Sequence, residues 1–235
     1  MSFTDTSLHE EYAGAVEWVA GRVLGAVTGT EDTGPTGPGA WTDTYSSKAL
    51  LAAVRVVGPD LAAAAVLAGE ALDPETAEVA AAALRVFPGG DAEAAVTPEQ
   101  ALVVAWRDWG TARLLGDPSA RPPDRSPLPD PARWRPWSVR LGQLSCLALP
   151  GLHGPVHDEV VRDAEALCRG AARAMMRRDT RLAARLARWL AWLELHGLTV
   201  PLEAGPMLRQ LAFTHGGSAR TALDVAIGQR LATTE

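Results

Sequence analysis

Apolar residues recur at spacings of three and four along nearly the whole chain, which is the period of an amphipathic α-helix. No segment alternates β-branched and polar residues in the way that a half-buried strand does. The chain is therefore predicted to be all-α, a compact bundle or paired-helix array of about eight to ten helices. Its 235 residues, 47% of them hydrophobic, are enough to bury a sizeable core.

Two long interruptions divide the predicted helices. Residues 29–47 are rich in glycine, proline and threonine, and residues 116–137 contain seven prolines, which lack the amide hydrogen that a helix requires. Two helix starts are indicated by a capping residue followed by a first-turn proline: Asp73 with Pro74, and Thr97 with Pro98. A first helix follows the capping-box spacing of Ser7 and Glu10. The other helices are expected at 46–71 with a kink near Pro59, 74–86, 98–115, 137–149, 155–178, 180–196, 203–213 and 218–232.

Charge is distributed unevenly along the chain. Residues 1–100 contain 4 basic and 15 acidic side chains, a net charge of −11, whereas the remainder contains 18 basic and 13 acidic, a net charge of +5. We expect one all-α domain over residues 1–235, which could consist of an acidic half, 1–115, and a basic half, 137–235, joined by a proline-rich strap, 116–136. The opposite charges favour packing of the halves within one chain or between subunits of a homo-oligomer.

The composition argues against several classes of function. A net charge of −6 is unsuited to general nucleic-acid binding, which requires a basic surface. Cys146 and Cys168 lack CxxC spacing and are expected to be reduced core thiols. The acidic, polar N-terminus does not resemble a signal peptide, so a cytoplasmic protein is expected. The apolar segment 49–72 is interrupted by charged residues and by Pro59, which favours a buried helix over a membrane span. No cofactor motif is present.

The stretch GLHGPVHDEVV, residues 151–161, concentrates imidazoles and carboxylates. His153 and His157 are four apart, a spacing that on one helical turn would bind a divalent metal. Pro155 is favoured at the first helical position, so we expect His153 before the helix and His157 just inside it. His153 and His157 are candidate acid–base catalysts, and His157 with Asp158 is the candidate metal pair.

The adjacent His157 and Asp158 resemble the His-Asp pair of the HD-type phosphohydrolases, an all-α family that uses metal ions. The resemblance implies that an upstream histidine, His9 or His153, and a downstream aspartate, Asp224, complete the ligand set. The pair here lies at a helix start that a proline defines, which is a departure from the family pattern.

A third candidate catalytic histidine, His215, lies in FTHGGSART, residues 213–221. The two glycines after it could expose backbone amides as an oxyanion hole, as in the HGGG loops of lipases. No G-x-S-x-G elbow accompanies this stretch. The competing interpretation is a tight loop between helices, in which Ser218 caps the last helix.

Arginines recur at every fourth position from residue 169 to residue 185. This stripe is typical of a solvated helix face, and it could also be a docking surface for an anionic ligand or an acidic partner. A helix start at Asp179 or Thr180 would divide the stripe in two. The members of the stripe are Arg169, Arg173, Arg177, Arg181 and Arg185.

Tryptophans occur in pairs three residues apart, so the members of each pair share a helix face. Core packing is the ordinary role of such side chains, but aromatic walls with nearby arginines also bind flat or apolar ligands. The predicted binding residues are Trp106, Trp109, Trp134, Trp137, Trp192, Arg181 and Arg185.

Two classes of function follow from these patterns. The first is a binding or accessory protein with a groove lined by aromatic residues and arginine, for a small organic molecule, a peptide or a protein partner. It requires no cofactor, nucleic acid or membrane. The alternative is a small-molecule enzyme, either a metal-dependent hydrolase of the HD type or a metal-free catalyst that uses histidine as acid and base.

Overall fold

The computed structural model describes residues 3–30, 45–88, 97–214 and 217–233. All regular secondary structure within these ranges is helical, which confirms the predicted all-α class. Ten helices result when Ser47–Ala68 is counted as one. The α-helices are α1 (Phe3–Thr28), α2 (Ser47–Val57), α3 (Ala63–Ala68), α4 (Pro74–Val86), α5 (Pro98–Leu114), α6 (Trp134–Gly142), α7 (Pro155–Arg162), α8 (Ala164–Met176), α9 (Thr180–Leu195), α10 (Ala204–Thr214) and α11 (Ala219–Thr233).

Side-chain caps confirm several of the predicted helix starts. Asp73, Thr97 and Asp179 each accept a hydrogen bond from the backbone amide three residues further on, at 2.8, 3.3 and 3.1 Å. These amides have no partner inside the helix, so the cap stabilises each start by about 1 kcal/mol. The start of α9 at Thr180 divides the arginine stripe between α8 and α9, as expected.

Other predicted boundaries were wrong. Helix α1 begins at Phe3, so Ser7 lies inside it rather than at its cap. Helix α6 covers Trp134–Gly142 instead of 137–149, and a short 3-10 turn, Ser145–Leu147, follows it. The segment predicted as one helix over 155–178 is broken at Asp163, between α7 and α8. No glycine or proline marks that break, so the residue pattern could not reveal it.

Helix α9 lies at the centre of the molecule. Its residues 186–193 are all buried, and it packs against α6, α8, α10 and α11. Helix α11 also contacts α1 and α10, while α1 packs against α2, and α2 against α4. Helices from both halves of the chain therefore meet around α9 and α11. Cys146 and Cys168 are buried and unpaired.

The predicted kink near Pro59 is a buried turn of 3-10 helix, Gly58–Ala62, between α2 and α3. Gly58 has φ 62°, a conformation that favours glycine, and Pro59 cannot donate the hydrogen bond that would continue α2. All five residues of the turn are buried. The turn places the carboxylate of Asp60 inside the protein, where it requires charged partners.

By length and composition alone, Ser47–Ala68 is apolar enough to cross a membrane, with a mean hydropathy of 1.8 over its most apolar window. Inside the fold, 56% of that window is buried. Burial of this kind is typical of a core helix in a folded protein.

Residues 116–130 form an irregular strap between α5 and the 3-10 turn Pro131–Arg133 that precedes α6. Trp106 Nε1 on α5 donates a hydrogen bond of 2.8 Å to the carbonyl of Arg125, and Ser126 Oγ donates one of 2.8 Å to Glu159 on α7. The strap is thus attached to two helices along its length.

Candidate functional site

The structure brings together two of the three predicted catalytic histidines. His153 is exposed and lies before α7, whereas His157 is buried in its first turn, and their ring centroids are 6.1 Å apart. His196, at the end of α9, joins them, with its ring 5.5 Å from that of His153. None of the three lines the cavities described below. His215 lies outside the described residues.

The environment of His157 is apolar and aromatic. Its ring lies 5.0 Å from Trp192 and 5.4 Å from Trp189, and Nε2 is 3.0 Å from the carbonyl of Leu147. A carbonyl only accepts hydrogen bonds, so Nε2 carries the hydrogen. Burial lowers the pKa of His157 to about 4, although the Leu147 carbonyl opposes the shift. His157 is therefore a neutral core residue near pH 7.

The proposed metal ligands do not converge within the described part of the chain. No group of three or more histidine, cysteine or acidic side chains there is placed to hold a metal ion. Asp158 is exposed beside the buried His157. Asp224, which the HD resemblance implied as an outer ligand, accepts hydrogen bonds from Ser145 and Arg188 instead.

Most of the predicted binding tryptophans are core residues. The buried ones are Trp106, Trp109, Trp137 and Trp192. Trp134 differs, because it is only half-buried and faces a groove of about 740 Å³ between α6 and α8. The guanidinium carbons of Arg135 and Arg173 lie 5.1 and 5.9 Å from its ring centroid, within the range of cation–π contacts. Arg181 and Arg185 lie elsewhere, so the predicted aromatic and arginine residues do not form one groove.

Two aspartates and two arginines form a buried ion network beneath α9 and α11. Arg188 lies 2.7 Å from Asp60 and 3.2 Å from Asp224, and Arg220 lies 2.6 Å from Asp60. Asp60, Asp224 and Arg188 are almost completely buried, and Arg220 is 8% exposed. The network joins the turn after α2 to α9 and α11, which are more than a hundred residues away in sequence.

Mutual attraction keeps this network ionised. Burial acts to raise the pKa of Asp60, but the two arginine charges outweigh it, so the pKa is below its usual value. Burial likewise acts to lower the pKa of Arg188, and Asp60 and Asp224 outweigh it, so the pKa is raised. Ser145 Oγ and the Ala148 carbonyl complete the network by hydrogen bonds of 3.0 and 3.2 Å.

An open cleft of about 420 Å³ lies above this network, at the starts of α9 and α11, and we call it the cationic cleft. Four arginines line it, with one carboxylate, that of Glu17 on α1. Hydroxyl groups and an amide supply further hydrogen-bonding positions. The lining residues are Val16, Glu17, Val56, Arg107, Gln143, Ser145, Thr180, Arg181, Arg185, Ser218, Arg220 and Thr221.

The cationic cleft and the network below it carry excess positive charge. The ion network forms the floor of the cleft. The lining residues and this floor together contain five arginines and three carboxylates, an excess of two positive charges. Arg185 Nε is 3.6 Å from Asp224, while exposed Arg181 forms no ion pair with any described residue. Burial lowers the pKa of Arg185, and the neighbouring arginine charges lower it further against the attraction of Asp224. A bound anion would relieve this repulsion.

Glu17 shows how an oxyanion fits one side of the cleft. Its carboxylate accepts hydrogen bonds from the backbone amide of Ala219 at 2.6 Å and from Ser218 Oγ at 3.0 Å. These groups lie at the N-terminus of α11, where unpaired amides and the helix dipole favour negative charge. The first turn of α11 thus already binds a carboxylate of the same chain, and nearby Arg181 has no carboxylate partner among the described residues.

Sequence reasoning named Arg181 and Arg185 but missed the rest of the cleft. Arg107, Arg220 and Glu17 lie on α5, α11 and α1, and only the tertiary fold brings them together. One signal was available for the floor: Asp60 follows Pro59 within an apolar segment, where a carboxylate must be buried and paired.

No family model, curated protein or solved structure matched this chain.

Proposed function

We propose that this protein binds a small phosphate-bearing molecule in the cationic cleft. The observation that carries the proposal is the charge of the site. The lining of the cleft and the buried, ionised network beneath it together have an excess of two positive charges. A phosphate monoester has a charge of about −1.5 to −2 at pH 7, which matches that excess. The sequence left a small organic molecule, a peptide or a protein partner open as the ligand. The cleft favours a small molecule that contains phosphate.

The donors in the cleft suit phosphate. Arginine guanidinium groups bind phosphate oxygens by paired hydrogen bonds, and Arg181 and Arg185 lie one turn apart on α9. The hydroxyl of Thr221 adds a neutral hydrogen-bonding group to the lining. The volume of about 420 Å³ is within the usual range for small-ligand sites.

The cationic cleft suits a discrete anion better than the Trp134 groove does. Two of the arginines in that groove already stack on the Trp134 ring, and Asp179 contributes an opposite charge to its wall. Among the described residues, no buried ion network lies beneath the groove. In the cleft, by contrast, the floor fixes Arg185 and Arg220 beside Asp224 and Asp60 before any ligand arrives, which reduces the ordering cost of binding.

Isothermal titration calorimetry with inorganic phosphate tests the proposal. Arg181→Gln removes an exposed charge outside the buried network, and it should weaken phosphate binding about tenfold. Arg209→Gln on α10 removes another exposed charge, one that does not line the cleft, so binding should be unchanged. Because the cleft is partly open, added salt should weaken binding to the wild type.

Two results would count against phosphate binding in the cleft. The first is the absence of any heat of binding for the wild-type protein at millimolar phosphate and low salt. The second is an equal loss of affinity in Arg181→Gln and Arg209→Gln, which would indicate attraction by overall charge rather than by the cleft.

A further inference from the structure

A second cavity adjoins the cationic cleft and is mainly apolar. It has a volume of about 310 Å³ and lies between α1, α2 and α5, with Phe87 at the end of α4. We call it the apolar compartment. Its lining residues are Tyr12, Ala52, Arg55, Val56, Phe87, Val104, Arg107 and Asp108.

The charges within the apolar compartment are largely balanced. Arg55 and Asp108 form an ion pair of 2.5 Å across α2 and α5, so the compartment contributes no net charge apart from Arg107. Burial raises the pKa of Asp108, although Arg55 and Arg107 oppose the shift, and burial also raises the pKa of Tyr12. Partial burial thus disfavours the charged forms of both side chains.

The two cavities meet at Val56 and Arg107, which line both. Arg107 Nη2 donates a hydrogen bond to the Val56 carbonyl, which holds the guanidinium at the junction. Its Nε is buried and has no hydrogen-bond partner among the described residues. A buried donor without a partner is costly, so Arg107 carries uncompensated polarity where the two cavities meet.

We infer that the ligand of the cationic cleft is amphiphilic, with a phosphate group beside Arg181 and Arg185 and a short hydrocarbon or aryl group in the apolar compartment. The inference rests on the proposed function, because the phosphate group is what orients the ligand. Arg107 then contacts the ligand where its polar and apolar parts join. The cationic cleft thus binds the charged part of the ligand, and the apolar compartment binds its apolar part.

A series of alkyl phosphates tests the inference. Inorganic phosphate, methyl phosphate, butyl phosphate and hexyl phosphate are titrated into the wild-type protein by calorimetry. Affinity should rise about fourfold for each methylene that enters the compartment, until the compartment is full. Hexanol, which lacks the phosphate, should bind far more weakly than hexyl phosphate.

A matched pair of variants locates the alkyl chain. Ala52→Leu fills the compartment from α2, and it should abolish the gain from chain length while inorganic phosphate binds as in the wild type. Ala172→Leu introduces the same side chain at a half-buried position of α8 that lines neither cavity, and it should keep the chain-length gain.

The outcomes separate the inference from the proposed function. If wild-type protein binds inorganic phosphate but shows no dependence on chain length, the amphiphilic ligand is excluded and phosphate binding stands. Retention of the full chain-length gain in Ala52→Leu also overturns the inference. If no member of the series binds, both proposals fail together.

Discussion

Arg188 is the residue on which the interior most depends. It is completely buried on α9, and its guanidinium pairs with Asp60 and Asp224 while Nε donates to the Ala148 carbonyl. A buried charge of this kind is tolerated only because the two carboxylates and the carbonyl compensate it. Its role is to connect α9 with the turn after α2 and with α11, directly beneath the cationic cleft.

Replacing Arg188 with methionine should lower the free energy of unfolding by about 3–5 kcal/mol, because two carboxylates would lose their shared cation inside the protein. Arg209→Met, at an exposed position of α10, should change it by less than about 0.5 kcal/mol. Urea denaturation followed by circular dichroism measures both. Equal stability of Arg188→Met and wild type would refute the account of the network.

His157 should make the protein sensitive to acid. Its pKa of about 4 in the folded state is below the ordinary value of 6.5. Between pH 4 and pH 6.5, the unfolded chain therefore binds more protons than the folded protein. The stability contributed by the neutral imidazole is complete above pH 6.5 and is lost as the pH falls toward 4. The loss between pH 7 and pH 5 is roughly 2 kcal/mol.

The variant His157→Gln should show a smaller loss between pH 7 and pH 5, because glutamine has no charge to gain while it can still donate to the Leu147 carbonyl. Denaturant titrations at the two pH values provide the comparison. His9→Gln, at an exposed position of α1, should keep the full wild-type loss. An unchanged pH dependence in His157→Gln would exclude His157 as its source.

At the level of helices, local signals predicted where elements begin, and tertiary contacts decided where they end or break. The caps Asp73, Thr97 and Asp179 act within four residues, so the sequence alone reveals them. The break at Asp163 has no such local signal. The same limit applies to close helix contacts, since α6 and α8 meet where Gly170 faces Ser138.

Gly170→Ala tests that contact. A methyl group at Gly170 would lie 2.5 Å from Ser138 Cβ, so α6 and α8 would have to separate. We expect destabilisation by about 1–3 kcal/mol, measured by thermal or urea denaturation. Ser138→Gly in the same chain should recover part of the loss, because it removes the atom that clashes.

Gly25→Ala on α1 serves as the control for Gly170→Ala. Nothing lies within 4 Å of the added methyl group there, and alanine should stabilise the helix by about 0.5–1 kcal/mol. If Gly170→Ala were also neutral or stabilising, the close approach of α6 and α8 would be contradicted.

For the whole molecule, the charge asymmetry of the sequence corresponds to contacts within one chain. Asp60 and Glu17 come from the acidic half, and they bind Arg188, Arg220 and the start of α11 in the basic half. The sequence predicted this attraction but not its location, because the partners are more than a hundred residues apart.

Separation along the chain also explains which residues of the candidate site could be predicted from the sequence. The four-residue repeat of arginines identified Arg181 and Arg185, which share one helix. Arg107, Ser145 and Arg220 come from separate elements, and no local pattern relates them. The tryptophan spacing correctly indicated shared helix faces, as in the contact of Trp106 with Trp109 at 5.2 Å, but it could not distinguish a core face from a groove.

Anomalous diffraction from crystals soaked in arsenate, a heavier analogue of phosphate, tests the central claim most directly. The account predicts an arsenic peak in the cationic cleft, within hydrogen-bonding distance of the guanidinium groups of Arg181 and Arg185, and its loss in Arg181→Gln crystals. A map with no peak in an accessible cleft, or with arsenate bound only at other arginines, would contradict it.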